Sequence, residues 1–210
     1  MTDKNTGQRA GGESAAAAAR RLPGASLAGW PAPPVPLTQL AAQTAPYQRL
    51  FELDAQGSLY AIGRPGGVWI KNWPSAAPAP LTYIAVQSGQ VPHLLGLDAA
   101  GALYAIGLPG GVWVKDWPSP PPAPLIAIAA RGGEDPHLFA LDDAHHLYAI
   151  ALPCGAWTED SPQPPPAPLT ALAVEDAPSP RLTGLDINDA LWTIALPGGA
   201  WVNLSAPNPP

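Results

Sequence analysis

The sequence is poor in charge, in cysteine and in long apolar runs, and each shortage excludes a class of protein. Charged residues make up 12% of the 210 residues, and the formal net charge is −6. Nucleic-acid binding is not expected, because the phosphate backbone is bound by clustered Lys and Arg. The single cysteine, Cys154, excludes an internal disulfide framework. No apolar run approaches the roughly 18 residues that a membrane-spanning helix needs.

The N-terminal segment lacks the features of a secretory signal. Residues 1–21 contain acidic residues and have no apolar central region. Apart from a short alanine run they show no periodic apolar face, so we expect a flexible tail. The sequence is typical of a bacterial-type soluble protein that is cytoplasmic or is exported without a classical signal peptide.

Enzyme motifs are also missing. The sequence has no GxSxG, no HExxH and no P-loop, so we expect neither an enzyme nor a cofactor. His145 and His146 have no evident third metal ligand, and Cys154 has no positioned base, so no metal site is expected. Four aspartates precede predicted turns, where we expect them to cap the backbone rather than bind a ligand: Asp54, Asp98, Asp142 and Asp186.

Proline and glycine are abundant, and they recur within an internal repeat. The chain has 30 Pro and 21 Gly, about a quarter of all residues, a proportion often associated with disorder. Disorder is not expected, because the prolines hold fixed positions and 47% of the residues are hydrophobic. Four units align without gaps at a period of 44 residues, and they span residues 36–79, 80–123, 124–167 and 168–210.

Each unit predicts four strands and a proline-rich connection. In the second unit the first strand, 81–86, is apolar on nearly both faces, and polarity increases towards the fourth strand, 111–117. This gradient predicts that the first strand is central and the fourth lies at the rim. The connection 117–125 is long enough, as polyproline II helix, to return from the outer strand to the inner strand of the next unit.

The turns between the strands have recognisable sequences. Asp98 and Gly101 suit the first and last positions of a type I turn, and Pro109 with Gly110 suits a type II turn. In the third unit Cys154 replaces the glycine of the second turn, so there we expect strain or another turn type. Small residues on the second strand are expected to let neighbouring units approach closely: Gly96, Ala140 and Gly184.

These patterns predict an all-β fold, a small β-propeller of four four-stranded blades. A solenoid of stacked sheets is the alternative. We expect one propeller domain over residues 22–210, in which residues 22–35 form an extra closing strand and linker. That strand would either join blade 168–210 within one chain or cover an edge shared with a second chain. A homo-oligomer is therefore one of the two alternatives.

The repeated pattern L-x-x-L-D-x-x-G-x-L-Y-x-I … G-G-x-W-x-x-x-W resembles the repeats of tectonin-type propellers and of bacterial and fungal propeller lectins. The resemblance covers residues 36–210, and it implies repeated carbohydrate sites. Those relatives usually have five to seven blades. The second Trp of the pattern is replaced by Ser161 and Ser205 in the last two units.

Two rings of repeated residues are the candidate ligand-binding residues. One ring is cationic or protonatable and stands at the start of the second strands, where it would line one mouth of the propeller: Arg49, His93, His137 and Arg181. The other ring is aromatic and offers stacking surfaces: Trp69, Trp113, Trp157 and Trp201. The alternatives are solvated strand ends for the first ring and packing between blades for the second. We therefore expect a lectin-like recognition module, or else a subunit that holds a partner protein by its faces or its Pro-rich rim.

Overall fold

The structure, a computed structural model, describes residues 30–44, 47–175, 177 and 179–205. The predicted tail at 1–21 and residues 22–29 of the predicted closing strand lie outside the described residues.

The described residues form four antiparallel four-stranded sheets, which are the blades of a four-bladed β-propeller. The strands of blade 1 are β1 Leu37–Gln43, β2 Arg49–Asp54, β3 Leu59–Ile62 and β4 Ile70–Lys71. The strands of blade 2 are β5 Leu81–Gln87, β6 His93–Asp98, β7 Leu103–Gly107 and β8 Val114–Lys115. The strands of blade 3 are β9 Leu125–Arg131, β10 His137–Asp142, β11 Leu147–Ala151 and β12 Thr158–Glu159. The strands of blade 4 are β13 Leu169–Val174, β14 Arg181–Asp186, β15 Leu191–Ala195 and β16 Val202–Asn203. In the part of the chain that is described, no helix is long and apolar enough to cross a membrane.

The first strand of each blade is innermost, as the polarity gradient predicts. Strands β1, β5, β9 and β13 surround an axial cavity of about 210 Å³. The fourth strands are exposed and only two residues long, much shorter than predicted. In the first three blades Asn72, Asp116 and Asp160 take positive φ values of 57°, 57° and 54° directly after the second paired residue. In blade 4 Leu204 holds this position without a positive φ, and the strand is just as short.

Blades pack face to face through apolar side chains. Each blade has a leading face, which packs on the next blade, and a trailing face, which packs on the preceding blade. Between blades 2 and 3 the leading face contributes Leu95, Leu97, Leu103 and Ala105, and the trailing face contributes Leu125, Ile128, Leu138, Ala140, Ile150 and Leu152. Similar clusters join blade 1 to blade 2 and blade 3 to blade 4.

The junction between blades 4 and 1 differs from the other three. Among the described residues, the inner strands of successive blades make extensive contacts with each other. Strand β1 makes no contacts of that extent with β13 or β14 in this described part of the chain. On the trailing face of blade 1, Leu40 is 49% exposed, whereas its equivalent Ile84 is 3% exposed. On the leading face of blade 4, Leu191 is 36% exposed, whereas Leu103 is fully buried. The difference is confined to part of each face, because Leu50, Tyr60 and Ile62 on the trailing face of blade 1 stay buried.

The small residues of the second strand make room within their own blade. A Cβ on Gly96 would lie 2.7 Å from the side chain of Leu81 in the same blade. The role of Gly96 is to make room for that leucine, which then packs towards blade 1. Gly184 makes the same room for Leu169.

The predicted type II turn forms only in blade 1. There Gly67 N donates to Arg64 O at 3.0 Å, and Gly66 has a φ of 72°. In blade 2 the turn is wider, because Gly111 N donates to Gly107 O at 2.8 Å. Leu108, just before the proline, is buried against the neighbouring blade, while its equivalent Arg64 is exposed. Burial of Leu108 therefore outweighs the preference of the Pro-Gly sequence for a type II turn.

The Cys154 turn is of another type than type II, as one of the two expectations has it, but blades 2 and 4 share that type. Gly155 N donates to Ala151 O at 2.8 Å, which is the bond found at the equivalent turns of blades 2 and 4. Cys154 is exposed and has no positive φ. The third blade therefore tolerates the cysteine because this turn does not use the glycine's conformational freedom.

Candidate functional site

The tryptophan ring lies between blades. Each indole is half-buried, and each Nε1 donates at 3.2 Å to a backbone carbonyl of the preceding connection. These bonds are Trp69 to Pro31, Trp113 to Ser75, Trp157 to Ser119 and Trp201 to Gln163. Trp113, Trp157 and Trp201 also pack against the apolar clusters between blades. The geometry gives these residues a packing role, and a ligand-binding role for them stays a prediction.

Pro31 gives the predicted N-terminal linker a position in the fold. Pro31 stands 44 residues before Ser75, and its carbonyl accepts the bond from Trp69 that Ser75 accepts from Trp113. No strand forms in the described part of that segment, residues 30–35. These residues therefore occupy the place of a proline-rich connection ahead of blade 1.

The cationic ring lies where the sequence predicts, at the first residues of β2, β6, β10 and β14. Arg49, His93 and His137 each line a separate cavity. Arg181 is exposed. The four equivalent positions therefore create separate environments.

Aromatic partners distinguish the first two members of this ring. The Arg49 guanidinium lies 4.3 Å from the centre of the Trp73 ring, a cation–π contact. The His93 imidazole stacks on Trp117, with ring centroids 4.3 Å apart and planes inclined by 20°. In blades 3 and 4 the position of Trp73 and Trp117 is held by Ser161 and Ser205. Trp73 and Trp117 were not among the predicted site residues, although their spacing from Trp69 and Trp113 was visible in the sequence.

The cavity between blades 2 and 3, which we call the 2–3 cavity, has a volume of about 630 Å³. Blade 2 contributes Gln87, Gln90, Val91 and His93, and blade 3 contributes Glu134, Pro136, Leu152 and Pro153. The equivalent cavity between blades 3 and 4 measures about 140 Å³, and the one beside Arg49 and Trp73 about 160 Å³. The 2–3 cavity is therefore about four times as large as either of the other two.

His93 is held in one orientation at the edge of this cavity. Its Nδ1 lies 3.0 Å from the Val91 carbonyl and 3.1 Å from Oε1 of Gln87. Both partners are acceptors, so Nδ1 carries the proton and Nε2 is left as an acceptor. Burial lowers the pKa of His93, an effect that its hydrogen bond to Val91 only partly opposes. The ring is therefore neutral at pH 7 and offers a lone pair.

The turn aspartates cap the backbone, as the sequence predicts. Oδ1 of Asp98 accepts from Ala100 N at 2.9 Å and Ala102 N at 3.0 Å. Asp54, Asp142 and Asp186 make equivalent bonds. These carboxylates are thus engaged in turn formation.

The two neighbouring histidines make separate structural contacts. Nδ1 of His146 lies 3.0 Å from Oδ2 of Asp142, and that carboxylate raises the pKa of the imidazole. His145 has a φ of 67°, and its Nδ1 lies 2.7 Å from the Leu169 carbonyl oxygen. Within the described ranges, no three His, Cys, Asp or Glu side chains converge in a way that would hold a metal.

Comparisons with known proteins reveal similarity of fold. Neither a protein-family model nor a curated protein matches the chain. Among solved structures, virginiamycin B lyase from Staphylococcus aureus superposes with a TM-score of 0.54 at 14% identity, over 81% of this chain and 56% of that one. The SapL1 lectin in complex with alpha methyl fucoside gives a TM-score of 0.55 at 15% identity, over 80% of this chain and 62% of that one. Prp20p from Saccharomyces cerevisiae gives a TM-score of 0.52 at 12% identity, over 84% of this chain and 52% of that one.

These neighbours have different functions on a shared architecture. One is a lyase, one a lectin, and the third was described with its binding to Gsp1p and histones. The chain spans less than two thirds of the length of each. At these identities the likeness establishes the propeller fold, and function has to be argued from the site.

Proposed function

We propose that this chain is a non-enzymatic recognition module, a tectonin-like lectin that binds carbohydrate in the gaps between neighbouring blades. The observation that carries the proposal is the composition of the 2–3 cavity. There, hydrogen-bonding side chains stand beside apolar walls and beside His93, whose ring stacks on Trp117.

A sugar ring presents hydroxyl groups at its edge and C–H groups on its faces. Gln90, Glu134 and Nε2 of His93 match the hydroxyls, because they combine amide, carboxylate and imidazole groups. Val91 and Leu152 line the same cavity and match the C–H faces. The SapL1 lectin, which has a similar fold, supports this proposal.

Repetition would raise the affinity. The contact of Arg49 with Trp73 in blade 1 repeats the arrangement of His93 with Trp117 in blade 2. Two shallow sites on one rigid scaffold bind a branched or multivalent glycan more tightly than either site alone.

A glycan array followed by calorimetry with the best ligand tests the proposal. Glu134→Ala should weaken binding about tenfold, which is the usual cost of one charge-assisted hydrogen bond of about 1.4 kcal/mol. Asp135→Ala is the matched control, since this neighbouring acid lines the smaller cavity between blades 3 and 4. The absence of binding to any glycan by folded, monodisperse protein would rule the proposal out, and equal loss in both variants would place the ligand elsewhere.

A partner protein is the second candidate, and a rim of exposed aliphatic side chains favours it. The outer edges of the blades expose Val68 by 78%, Val112 by 81%, and Ile70, Val114 and Val202 by about half. These five residues hold two repeat positions, and exposed apolar surface of this kind is what a partner protein would cover. A protein ligand at this rim would be lost on replacing Val68 and Val112 by Ser, whereas glycan binding in the 2–3 cavity would not change.

A further inference from the structure

We infer that the carbohydrate ligand is acidic, and that Arg49 binds the carboxylate or sulfate group of one of its sugar units. This inference rests on the proposed carbohydrate binding and names the class of sugar. It is carried by the surroundings of Arg49, where a permanent cation stands over an indole beside a cavity and has no acidic partner among the described residues.

The cavity beside Arg49 is largely apolar and has a volume of about 160 Å³. Its other lining residues are Ala61, Ile62, Gly63, Ile70 and Trp73. Within the part of the chain that is described, Arg49 is thus the only charged residue that lines this cavity. A ligand here meets a cation in partly apolar surroundings, where attraction between opposite charges is stronger than in open water.

Trp73 holds the guanidinium in place. Cζ of Arg49 lies 4.3 Å from the centre of the Trp73 ring, and Trp73 also contacts Phe51, with ring centroids 6.0 Å apart. Phe51 is fully buried in the cluster between blades 1 and 2. A guanidinium over an indole face keeps the N–H groups of its edge available, and this planar fork matches two oxygens of an oxyanion. The stack therefore orients Arg49 without using its donors.

Arg49 lacks an internal counter-ion in the described ranges. No carboxylate there lies within ion-pair distance of it. Burial lowers the pKa of its guanidinium, and the described group that opposes this shift is Tyr47 rather than a carboxylate. Arg131, which lines the cavity between blades 3 and 4, differs because Asp135 lies 3.8 Å from it. The charge of Arg49 is therefore available to an anion from outside the chain.

The other blades do not repeat this combination of groups. In blade 2 the ring that stacks on Trp117 belongs to His93, which is neutral at pH 7. In blade 4 the cation is kept as Arg181, but Ser205 replaces the tryptophan. The 2–3 cavity is lined by Glu134, which repels an anion. An acidic sugar unit should therefore bind beside Arg49, and neutral units of the same glycan should bind in the 2–3 cavity.

Long-range attraction does not account for such binding. The formal net charge of the chain is −6, so the protein as a whole repels an acidic glycan. Short-range contacts with Arg49 have to supply the affinity for the acidic group. The preference for acidic sugars should therefore depend on this one side chain.

Sugars that differ only at C6 test the inference with the full chain. Glucose, glucuronate and glucose 6-sulfate form one series, and galactose, galacturonate and galactose 6-sulfate form the other. Nitrogen-15 NMR titrations follow the Nε–H resonance of Arg49, which is identified by its loss in the Arg49→Lys variant. An acidic member of at least one series should bind at least tenfold more tightly than its neutral counterpart. The tighter acid identifies the oxyanion as carboxylate or sulfate.

Variants of Arg49 separate binding from a purely structural stack. Arg49→Gln should remove the preference for the acidic sugar, and Arg49→Lys should recover only a small part of it, because an ammonium lacks the planar fork. Lys115→Gln is the control, since it removes the same charge from an exposed position on blade 2. If Arg49→Gln lowered the melting temperature but left the ratio of acidic to neutral affinity unchanged, the inference would be overturned.

The remaining outcomes distinguish this inference from the proposed function. Glycans that bind with no preference for an acidic unit would overturn the inference and leave carbohydrate binding in place. Acetate or inorganic sulfate that binds as tightly as the acidic sugars would also overturn it, because the site would then not recognise a sugar. The failure of every glycan to bind would rule out both.

Discussion

The imidazole of His93 and the indole of Trp117 lie in a near-parallel stack, 4.3 Å between centroids, at the edge of the 2–3 cavity. The stack joins the start of the second strand of blade 2 to the connection that leaves its fourth strand. It fixes the imidazole plane, and the Val91 carbonyl fixes its tautomer. This relationship gives the proposed site a definite chemical character and leads to the first prediction.

Ligand binding in the 2–3 cavity should be independent of pH above neutrality and weaken in acid. The pKa of His93 lies below its ordinary value of 6.5 because the ring is buried, so Nε2 stays an unprotonated acceptor as pH falls through 7. Protonation at lower pH removes the lone pair, and affinity should then fall about tenfold. Calorimetric titrations from pH 8 to pH 5 check this, and His93→Gln should abolish the acid-side loss. A decrease that begins above pH 7 would contradict the assignment.

Trp113→Ala should destabilise the protein more than Trp69→Ala. Trp113 packs against the cluster between blades 1 and 2 and donates to Ser75, whereas Trp69 makes the equivalent hydrogen bond without belonging to an apolar cluster. We expect a loss of about 3 kcal/mol for Trp113 and about 1 kcal/mol for Trp69. Denaturant unfolding monitored by far-UV circular dichroism measures both. Equal losses would show that the hydrogen bond, rather than packing, is what these indoles contribute.

Gly101→Ala should be strongly destabilising, whereas Gly110→Ala should be nearly neutral. Gly101 has a φ of 74°, and a Cβ there would lie 2.6 Å from the backbone nitrogen of Leu125, the first residue of blade 3. Positive φ alone costs about 1 kcal/mol for alanine, and the clash with backbone adds to it. A Cβ on Gly110 meets nothing within 4 Å. Thermal unfolding of the two variants compares them, and a stable Gly101→Ala protein would contradict the close approach of the two blades.

Glu52 should make the protein less stable as pH rises from about 4.5 to about 7. Burial raises the pKa of its carboxyl from 4.5 to about 7 in the folded state. Below pH 4.5 the group is protonated in both states and costs nothing. Between the two values the folded state holds a proton that the unfolded state has lost, so the free energy of unfolding decreases with pH, by roughly 3 kcal/mol in all.

Glu52→Gln should remove this decrease and stabilise the protein at pH 8. Urea unfolding at pH 5 and pH 8 measures it, with the exposed Glu159→Gln as the control. The carboxyl of Asp186 acts in the opposite direction, because hydrogen bonds from Trp192 and Ala190 lower its pKa. Its contribution is lost only as pH falls below about 4, which separates the two effects. An unchanged pH profile in the Glu52→Gln variant would contradict the burial of an unpaired carboxyl.

Much of this fold follows from local sequence patterns. The repeat, the order of strands and the capping by Asp98 all depend on residues close together in the chain, which is why they could be predicted. The Pro109–Gly110 turn could not, because its shape depends on burial of Leu108 in a cavity made by another blade. The fourth strands were also predicted too long, because the alternation of apolar residues continues to Trp117 whereas pairing in blade 2 ends at Lys115.

The candidate site was predictable in part. The strand-start positions of His93 and Arg49 were visible as a repeated position, but their pairing with Trp117 and Trp73 was not. That pairing depends on how each connection crosses its own blade, which the strand pattern leaves undetermined. The different cavity sizes depend on loop residues such as Gly133 and Glu134 that vary between the repeats.

The four indole bonds have a direction along the chain. In each the acceptor carbonyl precedes the donor by 38 residues, from Pro31 and Trp69 to Gln163 and Trp201. A blade leaving the ribosome thus finds its anchoring carbonyl in chain that has already been synthesised, and it needs nothing that has yet to emerge. Assembly can then proceed blade by blade during translation, with each completed blade serving as the template on which its successor docks.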